Sequence, residues 1–67
     1  METIHLTETE LAVLNVIKEQ PLTSFQILKK VESIRMILSL YTIIDELKSK
    51  GIVNSYVEQN QKYHYAS

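Results

Sequence analysis

Basic side chains are concentrated in the middle third of this sequence, and binding to phosphate is the chemistry that they could support. Residues 24–50 contain five basic residues against three acidic ones, whereas residues 1–23 contain four acidic residues against a single lysine. The formal net charge of the whole chain is -1. The charge is therefore distributed so that the middle third could face phosphates while the first third faces away from them.

Few other residues could carry out chemistry. A zinc site could be imagined between His5 and His64, but the chain has no cysteine and no nearby carboxylate completes a ligand set. The chain has one glycine and therefore no glycine-rich phosphate loop. Asp45 and Glu46 are neighbours on one helix surface and do not face each other across a cleft. We expect exposed strand histidines, no catalytic residue, no metal and no cofactor, so the protein should not be an enzyme.

Length and composition indicate one small domain over residues 1–67. The sequence is 45% hydrophobic and 22% charged, as in ordinary globular proteins. Without cysteine there is no disulfide framework, so stability must come from helix packing or from oligomerisation. The apolar runs are too short to span a membrane, and no leader pattern is present. We expect a cytoplasmic protein that does not bind membranes.

Two capping boxes predict the first two helices. Thr7 is followed three residues later by Glu10, and Thr23 by Gln26, which is the pattern that satisfies backbone amides at the start of a helix. Hydrophobic staples accompany both boxes, Leu6 with Leu11 and Leu22 with Ile27. The predicted helices cover residues 8–19, where Pro21 follows, and residues 24–32.

The first helix has an apolar stripe and additional apolar residues outside it. Leu11, Leu14 and Ile17 recur at helical spacing and should face the core. Ala12 and Val16 fall outside this stripe. Either the rest of the domain covers them, or they contact a second subunit.

A third helix and a β-hairpin complete the prediction. Residues 36–50 place one apolar arc against the core, formed by Met36, Ile37, Leu40, Ile43, Ile44 and Leu47. Gly51 follows as a left-handed C-terminal cap. Strands are expected at 52–57 and 62–66, around a polar turn, and Ile4 to Leu6 could add a third. The fold class is α+β, mainly helical: a winged helix-turn-helix with three helices and a two- or three-stranded wing.

Two segments of this prediction resemble a known family. The stretch Leu40-Tyr41-Thr42-Ile43-Ile44-Asp45-Glu46-Leu47-Lys48-Ser49-Lys50-Gly51-Ile52-Val53 resembles the recognition helix and first wing strand of PadR-like winged-helix regulators. Lys62-Tyr63-His64-Tyr65 is similar to their aromatic second wing strand. MarR-like and BlaI/MecI-type repressors share most of this pattern. The resemblance covers roughly residues 7–66 and implies a homodimeric DNA-binding repressor.

Under this hypothesis helix 3 enters the major groove of double-stranded DNA. The side chains expected near the bases are Arg35, Ser39, Tyr41 and Thr42, and those expected on phosphates are Lys29, Lys30, Lys48 and Lys62. The sequence departs from the family because Thr42, Asp45 and Glu46 replace the usual basic residues. PadR-like and MarR-like regulators also dimerise through helices after the wing, and we expect no such helix within residues 1–67.

An alternative hypothesis is a winged helix that binds another protein and does not read DNA. Leu38 and the neighbouring Tyr41 would form an apolar contact, and Asp45 and Glu46 a charged rim around it. Ala12, Val16 and Leu38 are therefore candidate contacts with a second copy or with another protein. The shortage of basic residues on the outer face of helix 3 favours this alternative.

Overall fold

The computed structural model describes residues 6–67, and these residues form a winged helix-turn-helix. The elements in chain order are α1 (Glu8–Glu19), β1 (Leu22–Thr23), α2 (Ser24–Lys30), α3 (Ile37–Ser49), β2 (Val53–Glu58) and β3 (Gln61–Ala66). The predicted fold class, α+β and mainly helical, is confirmed. None of the helices in this range is long and apolar enough to cross a membrane.

Both predicted capping boxes are present. The Thr7 hydroxyl accepts from the backbone amide of Glu10, and the Glu10 carboxylate accepts from the amide of Thr7 at 2.9 Å. Thr23 and Gln26 make the equivalent pair of bonds at the start of α2. Each box satisfies amides that have no partner within the helix, so these sequence signals fix where α1 and α2 begin.

The end of α3 is fixed by Gly51, which has a φ of +77°. The amide of Gly51 donates to the carbonyl of Lys48 at 2.9 Å, and the amide of Ile52 donates to the carbonyl of Leu47 at 3.2 Å. These two bonds form a Schellman motif, which favours glycine because other residues rarely adopt a positive φ. The chain therefore turns directly from α3 into the wing.

The wing is a three-stranded antiparallel sheet in the order β1-β3-β2. The strand that is added to the β2–β3 hairpin is β1, in which Leu22 and Thr23 pair with His64 and Tyr63 of β3. The predicted third strand at Ile4 to Leu6 is not found at Leu6, which is in no strand, while Ile4 and His5 lie outside the described residues. Since β1 immediately precedes α2, the sheet is joined directly to the helix-turn-helix.

The β2–β3 hairpin ends in a two-residue turn at Gln59 and Asn60. Both residues have a positive φ, 52° and 66°, as a turn that matches the twist of the strands requires. On one face of the hairpin Tyr56 stacks on Tyr63 with the ring centroids 5.5 Å apart, and Tyr65 lies 5.8 Å from Tyr56. Tyr56 therefore packs against both other tyrosine rings on this face of the wing.

The core lies between the three helices and the inner face of the sheet. Its buried members include the predicted residues Leu14, Ile17, Leu40, Ile44 and Leu47. Partly buried side chains pack around them, including Leu6, Ala12, Val16, Ile37 and Ile43. Val13, Val31, Ile34 and Val53 are also buried.

Two residues placed in the core by the sequence patterns are exposed instead. Leu11 is 42% exposed because the buried face of α1 is centred on Glu10, Val13, Leu14 and Ile17. Met36 is 63% exposed because it is the N-cap of α3 and has an extended backbone, so it does not lie on the helical arc. Ile34, in the preceding connection, is 5% exposed and occupies core space.

Some element boundaries differ from the prediction by one or two residues. Helix α2 ends at Lys30 because Val31 leaves helical geometry, and Glu32 and Ser33 form a turn. Helix α3 starts at Ile37 and ends at Ser49. Strand β2 starts one residue later than predicted because Ile52 belongs to the cap of α3, and both strands extend to the tight turn.

Glu10 connects the start of α1 to the end of α3. Its two carboxylate oxygens accept from the Lys50 ammonium at 3.2 and 3.1 Å, and the residue is only 6% exposed. The hydrogen bond from the Thr7 amide, together with Lys50, lowers the pKa of Glu10 although burial opposes this effect. One carboxylate thus caps a helix and pairs with a distant lysine.

We expect Glu10→Ala to lower the free energy of unfolding by about 2 kcal/mol, since the carboxylate half of the capping box and the partly buried ion pair with Lys50 are both lost. Glu10→Gln keeps the accepting oxygen of the capping box, so its free energy of unfolding should fall by less. Urea unfolding followed by circular dichroism measures both variants. Glu8→Ala is the matched control, because Glu8 is exposed in the same turn. An equal loss in Glu8→Ala and Glu10→Ala would contradict this role.

Candidate nucleic-acid interface

A groove runs between the start of α2, one side of α3 and the wing, and we call it the wing groove. It consists of two adjoining depressions that share Ser24, Tyr41 and Lys62. The lysine end, about 480 Å³, is also lined by Ile44, Asp45, Lys48 and His64. The aromatic end, about 520 Å³, is also lined by Thr23, Phe25, Gln26, Asn60 and Gln61.

The lysine end brings together two basic residues that are 14 positions apart in the sequence. Lys48 lies on α3 and is half-buried, and Lys62 lies on β3 and is exposed. Burial, followed by the neighbouring ammonium of Lys62, lowers the pKa of Lys48, while Asp45 acts in the opposite direction. Since the two like charges are held close together, an anion bound between them would relieve their repulsion.

His64 forms the floor of the lysine end. It is 4% exposed, and its Nε2 is hydrogen-bonded to the Ser24 hydroxyl at 3.0 Å while its Nδ1 is hydrogen-bonded to the Ser55 hydroxyl at 2.8 Å. A neutral imidazole can satisfy both contacts, donating from one nitrogen and accepting at the other. The expectation of an exposed histidine is therefore wrong for His64, while His5 lies outside the described residues.

The surroundings of His64 keep its ring uncharged. Burial first, and then the charges of Lys48 and Lys62, lower the pKa of His64 from 6.5 to about 4. The side chain therefore acts at neutral pH as a hydrogen-bonding bridge between α2, β2 and β3. It adds no positive charge to the groove.

The predicted base-contacting residues divide between two surfaces. Tyr41 lines the wing groove and is 44% exposed. Ser39 and Thr42 are exposed on α3, and the Thr42 hydroxyl donates to the carbonyl of Leu38 at 3.2 Å. Arg35 is exposed in the connection before α3. The structure thus places Tyr41 beside the lysine pair, while Ser39 and Thr42 belong to the outer face of the helix.

The predicted phosphate contacts also lie in two places. Lys48 and Lys62 meet in the groove, whereas Lys29 and Lys30 are exposed in the last turn of α2. Of the candidate contacts with a second copy or a protein, Leu38 is 67% exposed. Ala12 and Val16 are partly buried against the core of their own chain. Only Leu38 among these three presents most of its side chain to solvent.

Sequence reasoning did not identify Ser24, Phe25 or His64 as parts of a site. Phe25 is the chain's one phenylalanine, and it falls between two polar residues at the start of a predicted helix. That position could have indicated an exposed ring that is available for binding, because a large aromatic side chain next to the cap is distant from the buried stripe. No pattern in the sequence could show that Ser24 and Ser55 would meet His64.

Within residues 6–67 no group of three or more histidine, cysteine, aspartate or glutamate side chains could hold a metal ion. Comparison of the chain with protein-family models, with curated proteins and with solved structures finds no match. The features that bear on function are therefore the geometry of the groove and of α3.

The pKa of His64 predicts that stability falls as the solution becomes acidic. Because the folded-state value of about 4 lies below the unfolded value of 6.5, the unfolded chain takes up a proton first as the pH decreases through this window. We expect the wild type to lose about 1–2 kcal/mol of unfolding free energy between pH 7 and pH 5. Urea unfolding at several pH values measures this loss.

His64→Gln serves as the control for this prediction, since an amide can hydrogen-bond to both serines but does not titrate. Its stability should vary much less between pH 7 and pH 5, whatever its absolute value. Wild-type stability that stays level over that interval would contradict a neutral, buried His64.

Proposed function

We propose that the protein is a DNA-binding transcriptional regulator that acts as a homodimer in the cytoplasm. The observation that carries this proposal is the convergence of Lys48 and Lys62 at the lysine end of the wing groove. One lysine comes from the helix that a winged helix places in the major groove, and the other comes from the wing. A phosphate of the DNA backbone bound between them would fix the position of both elements at once.

In this proposal α3 enters the major groove of double-stranded DNA. Its 13 residues make it about 20 Å long. An α-helix is about 10–12 Å in diameter with its side chains, so it fits a major groove about 12 Å wide. Ser39, Tyr41 and Thr42 approach the base edges, and Arg35 approaches from the connection before the helix. Lys29 and Lys30 supply further phosphate contacts from the end of α2.

The outer face of α3 offers few of the side chains that usually read bases, because Asp45 and Glu46 are exposed on it. Most of the affinity must then come from phosphate contacts, which are sensitive to salt and do not depend on sequence. Two copies bound to a palindromic site would increase both affinity and specificity. The similarity of residues 40–53 to PadR-like regulators supports the same proposal.

A second candidate function is supported by the exposed apolar side chains near the start of α3. Met36 is 63% exposed and Leu38 is 67% exposed, and Asp45 and Glu46 provide acidic groups on the same helix. This combination fits a protein partner with an apolar contact and basic residues around it. In that case α3 contacts the partner and does not enter a DNA groove.

A salt-dependent DNA titration tests the proposed function. We expect wild-type binding to a duplex to weaken steeply with salt, and Lys48→Gln with Lys62→Gln to reduce the logarithmic slope by about 0.9 for each lysine removed. Lys18→Gln is the control, because Lys18 is exposed in the last turn of α1. Fluorescence anisotropy of a labelled duplex gives all three slopes.

Two results would count against the DNA proposal. One is a slope unchanged by the double substitution. The other is an amide NMR spectrum that a generic duplex leaves unmoved at low salt. In the second case, the exposed apolar residues near the start of α3 would be the better candidate for the functional surface. Binding to a protein partner would then be the better candidate for the function.

A further inference from the structure

We propose that the wing groove binds a nucleotide whose base is not paired, with the phosphate at the lysine end and the base at the aromatic end. This inference goes beyond the proposed reading of a duplex, since it requires neither a dimer nor insertion of α3 into a major groove. The ligand is a nucleotide, and a free nucleotide and a single strand offer the groove the same phosphate and base.

The aromatic end provides two rings on which a base could stack. Phe25 is 66% exposed at the start of α2, and Tyr41 is 44% exposed on α3, yet both line the same depression. Leaving a phenylalanine ring in water forfeits the free energy that its burial would supply. Aromatic side chains next to basic ones characterise proteins that bind unpaired nucleotides, because every base has a face that can stack.

Amide side chains lie on the wing side of the same depression. Asn60 lines the aromatic end from the turn of the hairpin, Gln61 from the start of β3, and Gln26 from α2. An amide group offers both hydrogen-bond donors and acceptors, as the edges of unpaired bases do. The side chains of Asn60 and Gln61 could therefore bond to a base that is stacked on Phe25 or Tyr41.

The two ends are arranged in the order that a nucleotide requires. Lys62 lines both depressions, whereas Lys48 and Asp45 line only the lysine end, so the lysine end is distinguished by two neighbouring ammonium groups beside one carboxylate and not by a higher net charge. A nucleotide has its phosphate and its base on opposite sides of the sugar. Each depression also lies within the size range of small-molecule sites, about 300–1,000 Å³.

The experiment is an NMR titration of the isotope-labelled protein at low salt with four probes. The probes are a ten-residue oligothymidylate, thymidine monophosphate, inorganic phosphate and a ten-base-pair duplex. We expect the oligothymidylate to shift the amide peaks of residues 23–26, 41 and 60–62. Phe25→Leu should weaken its binding about tenfold, as expected for the loss of one stacked base.

Leu38→Ala is the matched control, since Leu38 is as exposed as Phe25 but does not line the groove. It should bind the oligothymidylate as the wild type does. Tyr41→Leu provides a second test of stacking that keeps an apolar side chain in place. The spectra of the free variants show that each is folded.

The outcomes separate this inference from the proposed function. Equivalent shifts with thymidine monophosphate support the site and identify a free nucleotide as sufficient, while shifts with the oligomer alone support it and identify a strand. A duplex that shifts the outer face of α3 bears on the proposed function alone. The inference is overturned if inorganic phosphate reproduces the shifts, if Phe25→Leu and Leu38→Ala bind equally, or if no probe moves the groove peaks.

Discussion

The buried hydrogen bonds of His64 are the interaction on which the arrangement of the groove depends. The ring belongs to β3, and its two nitrogens bond to serines of α2 and β2. It therefore joins α2 of the helix-turn-helix to strands β2 and β3 of the wing at one point. Because the ring is neutral, this connection adds no third positive charge beside Lys48 and Lys62.

Local sequence signals were sufficient to predict most of the fold. Both capping boxes, and the glycine that ends α3, act through hydrogen bonds between residues close together in the chain, so their patterns can be read directly. The third strand could not be predicted in this way. Leu22 and Thr23 are too short a segment to show alternation, and they become a strand only because β3 lies beside them. Ile34 was missed for a similar reason, since its burial depends on tertiary packing.

The site was predicted less completely than the fold. The sequence identified Lys48, Lys62 and Tyr41 individually, and the family resemblance suggested their roles, but nothing in the sequence indicated that they line one groove. That proximity follows from the pairing of β3 with β1 and from the turn at Gly51, which directs the chain back past α3. The burial of His64 could not be predicted, because its partners Ser24 and Ser55 are 40 and nine positions away.

The proposal that α3 faces DNA can be tested directly with a spin label, because the chain contains no cysteine. Ser39→Cys provides a single thiol for a nitroxide spin label on the exposed face of α3, and Asn15→Cys places the same label on the exposed side of α1. We predict that the label at position 39 broadens the proton signals of a bound duplex and that the label at position 15 does not. Equal broadening from both positions, or none from either, would contradict the insertion of α3 into the major groove.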